Sequence, residues 1–196
     1  MQKRQQEFSD RRFCSDVFVY LQKHHLLISG QRVLLAISGG LDSMALLHFF
    51  ERFAEKKFAI NFIVAHLDHA LRPESCDDAQ WLSRYCQERD LNYVSERLAI
   101  ADIHAKSKHS SLEAVARNER YTWLLTQAER HNCSLVLTAH TASDQLETVL
   151  MHWIRGGISG LQGMPVSRPL KPDGPNLVRP LLACSRKDLE AYIDFP

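Results

Sequence analysis

The sequence predicts an α/β fold: a three-layer sandwich around a mostly parallel five-stranded sheet. Short apolar runs alternate with segments whose apolar residues recur every three or four positions, the order strand, helix, strand, helix. The first run, Val33-Leu34-Leu35-Ala36-Ile37, is apolar throughout, as befits a strand covered on both faces. It leads into Ser38-Gly39-Gly40-Leu41-Asp42-Ser43, a glycine turn followed at once by a helical pattern.

Phe13, Val17, Phe18, Leu21, His24 and Leu27 are spaced by threes and fours and predict an amphipathic helix ending before Gly30. Residues 1–30 thus read as a helical extension packed on a core that spans 31–196. The helix after the glycine turn covers 42–56. Phe58–Leu67 is the second strand, and polar residues His66, Asp68, His69 and Arg72 gather at its end. A helix over 74–90 carries Glu74, Asp77 and Asp78 in its first turn, where the helix dipole favours them. Asn92–Ser95 is a weak third strand. Residues 99–110, with His104, Lys106, Lys108 and His109, read first as a solvated segment, with a mobile loop or a substrate contact as the competing readings.

Ser111 opens a long helix to about His131, on which Arg117 and Arg120 stand three apart and share one side. Leu135–Thr138 is the fourth strand, with Ala139-His140-Thr141 at its carboxyl end. The next helix, 142–154, has Asp144, Glu147 and Thr148 near its start. Four glycines between 156 and 163 make a loop. Asn176–Arg179 is the fifth strand, which Pro180 confines to an edge or an end. Ser185, with Asp188 three residues on, caps a final helix that the chain begins to leave as it reaches Pro196, and the chain is expected to be a piece of a longer protein.

Composition narrows the function. At 196 residues, 22.5 kDa and 45% hydrophobic residues the chain can bury a core. A formal charge of +1 neither demands nor excludes nucleic acid. The five cysteines lack CxxC spacing and suit reduced thiols of a cytoplasmic protein. There is no apolar run of membrane-spanning length, and Met1–Arg12 lacks the apolar core of a secretory signal.

The glycine turn can bind an anion. Two glycines let a ligand approach the backbone, Ser38 and Ser43 add hydroxyls, and the helix that follows begins with unpaired N–H groups. Asp42 beside an anion calls for a cation between them, and Mg²⁺ fits. The turn is not a Walker A loop, since no lysine follows the glycines, nor a dinucleotide fingerprint, since the third glycine is missing. In a parallel sheet the strand ends converge, bringing His66, His69, Arg72 and His140 to one rim with the turn. Each member also has an ordinary reading. The two histidines can be plain strand-end residues, Arg117 and Arg120 can pair with Glu113 and Glu119 on a wet face, and Asp144 and Glu147 can serve only the helix dipole.

Taken together, SGGLDS at 38–43, HLDHALR at 66–72, EAVARNERY at 113–121, TAHTASDQLET at 138–148, RGGISGLQGM at 155–164 and RPLL at 179–182 resemble the tRNA(Ile)-lysidine synthase family, within the N-type ATP pyrophosphatases. The resemblance implies a Rossmann-like, adenine nucleotide alpha hydrolase-like fold. It also implies a cytoplasmic ligase that uses ATP and Mg²⁺ to join free L-lysine to the wobble cytidine of tRNA(Ile) with a CAU anticodon. ATP would adenylate O2 of the cytosine, and the lysine ε-amine would then displace AMP at C2. A homodimer is compatible with this picture.

By resemblance Ser38, Gly39, Gly40, Leu41, Asp42 and Ser43 hold the departing pyrophosphate, Asp42 and Asp144 hold the metal, and Ala65 and His66 lie near adenine. His69, Arg117, Asp42 and Asp144 form the catalytic set, with Arg117 reading the cytidine, and Arg72, Glu113, Arg120, His140, Glu147 and Arg155 contact substrates. Asp42, Asp144 and Glu147 remain alternatives for the base that deprotonates lysine. Two positions depart from the family's AHHxDDQxET pattern: Thr141 stands where a second histidine is usual, and Ser143 where an acid is usual. A helical tRNA-gripping region is expected beyond Pro196.

Overall fold

A computed structural model describes residues 2–72, 74–106, 111–154 and 162–193, with the side chains of 2–10 excepted. The α-helices are α1 (Gln2–Lys23), α2 (Leu41–Phe53), α3 (Ser75–Glu88), α4 (Ile100–Lys106), α5 (Leu112–Arg130), α6 (Ala142–Ile154) and α7 (Arg186–Tyr192), and a π-helical turn, Ala54–Phe58, follows α2. The strands are β1 (Arg32–Ala36), β2 (Asn61–Asp68), β3 (Tyr93–Arg97), β4 (Leu135–Thr138), β5 (Ser167–Pro169) and β6 (Asn176–Val178). They form one sheet in the order β3-β2-β1-β4-β6-β5, parallel throughout except for β5.

The sheet therefore has six strands rather than the five expected. Ser167-Arg168-Pro169 is short and proline-bearing, so nothing in its pattern signals a strand; it pairs antiparallel to β6 at the sheet edge. The strand over 176–178 is consequently internal, and Pro180 lies beyond its end, where no ladder N–H is needed. Within the ambiguous stretch 99–110, residues 100–106 are a short helix whose fully buried Ile100 packs with Val115 and Ala116 of α5, while Lys108 and His109 lie outside the described residues. The first helix begins at Gln2, well before the apolar spacing starts at Phe13.

Each central strand divides its side chains between two layers. Val33, Leu35, Val64, Leu135 and Leu137 join the core beneath α1, α2, α3 and α7, whereas Leu34, Ile63, Ala65 and Val136 join the core beneath α5. This period-two division accounts for the continuous apolar runs. α1 belongs to the first layer: Val17 and Leu21 are buried, Phe18 meets the rings of Phe49, Phe53 and Phe58, and Phe13 stacks on Tyr192 of α7 at 4.2 Å between ring centroids. α6 is different. None of its residues is buried, and Leu146, Leu150, Trp153 and Ile154 are exposed on it.

The strand order reverses at β1, whose neighbours are β2 on one side and β4 on the other. In an open parallel sheet such a switch point opens a crevice at the carboxyl ends of the strands.

Candidate active site

That crevice is present. A cleft of about 370 Å³ is lined by Ala36, Ile37, Ser38, Asp42 and Ser43 from β1 and the glycine turn. Ala65, Leu67 and His69 line it from β2; Arg120, Tyr121, Trp123 and Leu124 from α5; and Thr138, Ala139, His140 and Asp144 from β4 and α6.

The turn is built by its own side chains. Gly39 takes φ +88°, a conformation that L side chains rarely adopt. The Ser43 hydroxyl accepts from the Ser38 N–H at 3.2 Å and donates to the Gly40 carbonyl at 2.8 Å, closing the loop. Gly40 caps α2 without a side-chain acceptor, so the first N–H groups of α2 are left to a ligand.

Asp42 lies in the first turn of α2. One carboxylate oxygen is buried without a hydrogen-bond partner, and the other meets Arg186 of α7 at 3.6 Å. Burial raises its pKa above the ordinary carboxylate value; Arg186 opposes that, while Asp144 and Glu190 add to it. A carboxylate whose charge is made costlier by burial and by Asp144, beside a turn of free N–H groups, suits a divalent cation. Asp144 is also the third residue of α6, and its carboxylate accepts from the Thr141 N–H at 2.7 Å and the Thr141 hydroxyl at 3.0 Å. The threonine that replaces the usual histidine thus orients Asp144 by donating to its carboxylate twice, from the backbone and from the side chain.

His140 donates to or accepts from the Thr138 hydroxyl through Nδ1 at 2.8 Å. Burial, seconded by Arg179, Arg117 and Arg120 against the pull of Asp144, pushes its pKa down to about 4, so the ring is neutral at neutral pH. His69 is held in the cleft by the bend after β2. There Asp68, buried, accepts the Ala70 N–H at 2.8 Å and meets Arg97 at 3.5 Å. Arg120 donates from Nε to His69 Nε2 at 3.4 Å, and burial first, then Arg120, lowers the His69 pKa.

Other expected site residues stand elsewhere. His66 shares the face of Val64 rather than that of Ala65 and Leu67, so it turns away from the cleft. Its Nδ1 lies 2.9 Å from the Ile37 carbonyl, bracing the strand that feeds the turn. Arg72 is exposed and paired with Asp78 at 3.2 Å. Glu113 and Glu147 are exposed and do not line the cleft. Arg117 is exposed and does not line the cleft itself, but its guanidinium sits over the ring of Tyr121, which does, at 5.4 Å. Arg155 lies outside the described residues, as does most of the glycine-rich loop.

Several contributors carry no pattern signal. Tyr121 is flanked by Arg117 and by Arg168, the latter at 5.0 Å from its ring. Arg179 is fully buried behind Tyr121 and His140 and donates to the Pro165 carbonyl. Gln145 clasps Met164 from both sides, its amide donating to the carbonyl at 3.1 Å and accepting from the N–H at 2.6 Å. A Cβ on Gly163 would stand 2.5 Å from that amide. The Thr141–Asp144 pair shares its T-x-x-D spacing with the S-x-x-D that starts α7, the one signal in the sequence that points to it.

Comparison with known proteins agrees with this geometry. The chain is 40% identical over 171 residues to a tRNA(Ile)-lysidine synthase of Lactiplantibacillus plantarum, covering 85% of this chain and 36% of that protein. It is 36% identical over 178 residues to the tRNA(Ile)-lysidine synthase of Geobacillus kaustophilus, covering 90% and 38%. The chain thus spans little more than a third of the length of these curated relatives. In fold it is similar to the U34-tRNA thiolase NcsA of Methanococcus maripaludis, solved with its [4Fe-4S] cluster, with a TM-score of 0.77 at 17% identity over 93% of this chain and 62% of that one. It is also similar to an NH3-dependent NAD synthetase of Campylobacter jejuni, with a TM-score of 0.54 at 17% identity over 95% and 71%. At such identity these two likenesses speak to fold alone. Residues 15–195, which include the glycine turn and all six strands, match the model of the PP-loop domain, and the chain belongs to that family.

Proposed function

We propose that this chain is the ATP-using part of an enzyme that joins free lysine to the wobble cytidine of tRNA(Ile) with a CAU anticodon. The observation that carries the reading is the glycine turn with open N–H groups beside Asp42 and Asp144, in a chain 32–40% identical to tRNA(Ile)-lysidine synthases. In the first step O2 of the cytosine forms a bond to the α-phosphorus of ATP as the bond to the β-phosphate oxygen breaks, and pyrophosphate leaves. In the second, the lysine ε-ammonium gives up a proton to one of the carboxylates Asp42, Asp144 and Glu147, the free amine forms a bond to C2, and the C2–O2 bond breaks as AMP departs with O2.

The residues divide this work by charge. The turn at 38–43 receives the departing pyrophosphate through backbone N–H groups that need no rearrangement as charge develops. Asp42 and Asp144 would hold Mg²⁺, which when bound balances the phosphate charge. His140, uncharged at neutral pH, offers a ring nitrogen to a substrate donor without adding positive charge near Arg120. Tyr121, flanked by Arg117 and Arg168, offers a ring beside planar cations, a surface suited to an unstacked base, and Arg117 on the rim reads the edge of the cytosine. Lysine arrives as a cation, and Asp144 with Glu147 one turn further on α6 attract it before it loses its proton.

The test is nucleoside mass analysis of tRNA(Ile) with a CAU anticodon after incubation with the full-length protein, ATP and lysine. A lysine adduct on the wobble cytidine is the expected product. ATP-dependent incorporation of sulphur or ammonia instead, or no adduct at all, would overturn the proposal.

A further inference from the structure

The glycine turn lacks the lysine that a Walker A loop carries within itself, yet a cation stands at it. Arg186, the first residue of α7, bridges two carboxylates: its guanidinium meets Asp42 at 3.6 Å and Glu190 at 3.3 Å. Both contacts are longer than a good charge-assisted hydrogen bond, and the side chain is 57% exposed. Ion pairs of that kind hold weakly, so the guanidinium can exchange partners at little cost.

The backbone that carries Arg186 is, by contrast, fixed. Ser185 and Asp188 form a reciprocal capping box, Leu189 is fully buried, Tyr192 stacks on Phe13, and the Cys184 carbonyl accepts the Ala142 N–H that starts α6. A long cationic arm on a fixed base, resting on the aspartate of an anion-binding turn, is arranged to meet the anion.

We propose that Arg186 is a binding residue for the β- and γ-phosphates of ATP, supplying from the far end of the domain the cation absent from the loop, and that it rests on Asp42 until nucleotide arrives. This builds on the reading of the turn as an ATP site. A cation arriving at Asp42 repels the guanidinium while the phosphate oxygens attract it, and a planar fork of N–H donors matches those oxygens in pairs. Arg186 thereby also neutralises Asp42 in the free protein, where Asp144 and Glu190 crowd it with like charge.

Calorimetric titration of the full-length protein with Mg²⁺-pyrophosphate, Mg²⁺-ATP and AMP tests this. Arg186→Met is expected to weaken pyrophosphate and ATP about ten- to a hundredfold while changing AMP less than about twofold, since AMP lacks the two outer phosphates. Arg186→Lys should recover part of the loss, and Lys187→Met, one exposed residue away, should lose nothing. Unaltered pyrophosphate affinity in Arg186→Met, or an equal loss for AMP, would refute the role of Arg186 and leave the ATP site standing. A wild-type protein that binds neither pyrophosphate nor ATP would remove both readings at once. Should Arg186→Met fail to fold, Arg186→Lys decides the matter, because a residue that only ties α7 to α2 gives no selective loss for pyrophosphate over AMP.

Discussion

Asp42 and His140 line the same cleft, and burial disfavours the charged form of both. Their effects on stability have opposite signs with pH. The folded pKa of Asp42 is raised, so above the ordinary carboxylate value the folded chain binds more protons than the unfolded one, and stability declines as pH rises through that window and stays lower beyond it. Asp42→Asn removes this penalty. Its melting temperature near neutral pH should equal or exceed that of the parent while adduct formation falls about a hundredfold or more. A variant that kept its rate would take the metal and phosphate role from Asp42. For His140 the folded value of about 4 lies below the unfolded one of about 6.5, so the unfolded chain binds the extra proton and stability is lost as pH falls between them. His48 and His69, both lowered chiefly by burial, act in the same direction. Urea unfolding across about pH 4 to 7 should therefore show a flatter acid slope in His140→Gln. At this scale the sequence was only partly legible. His66 reads as one of several polar residues at a strand end, and only its parity with Val64 shows that it faces away from the cleft. Arg179 and Gln145 act through distant carbonyls that no spacing predicts.

Two elements are defined by how they begin or are tied down. α6 buries none of its residues, and its start is tied down by the Thr141 N–H and hydroxyl, which both donate to Asp144. Thr141→Val removes the hydroxyl that donates to Asp144 and should cost about 1 kcal/mol in urea unfolding, together with a loss of Mg²⁺-dependent ATP binding as Asp144 loses one of its two tethers. The segment at 162–166 is held by the Gln145 clasp, by the Arg179 guanidinium, and by the Arg179 N–H that donates to the Val166 carbonyl at 3.0 Å. Gly163→Ala forces a methyl into the Gln145 amide and should destabilise by about 1–3 kcal/mol. Adding Gln145→Ala to it should cost less than the sum of the two single changes, a double-mutant cycle that tests whether glycine is required by this clasp. Helices and central strands were legible because each carries a long periodic or wholly apolar pattern. β5 was not, since three residues ending in proline carry none, and neither was α4, whose single fully buried residue is Ile100.

Across the whole molecule, the site exists because β1 is flanked by β2 and β4, which diverge in sequence and leave a crevice above the turn. The order of apolar runs gave the layers, but which strand lies beside which follows from pairings far apart in the chain, and no local pattern encodes them. β1 serves both cores at once, so Leu35→Ala, at a fully buried position, should cost about 2–5 kcal/mol in equilibrium unfolding and lower ATP binding only in proportion to the unfolded fraction. The ring stack between Phe13 and Tyr192 has a further effect. It makes the opening helix a buttress for the closing one, and therefore for the reach of the guanidinium over the glycine turn. If Arg186 meets the phosphates as proposed, a tag or a cut near Phe13 is expected to alter nucleotide affinity without approaching the nucleotide, which calorimetric titration would register.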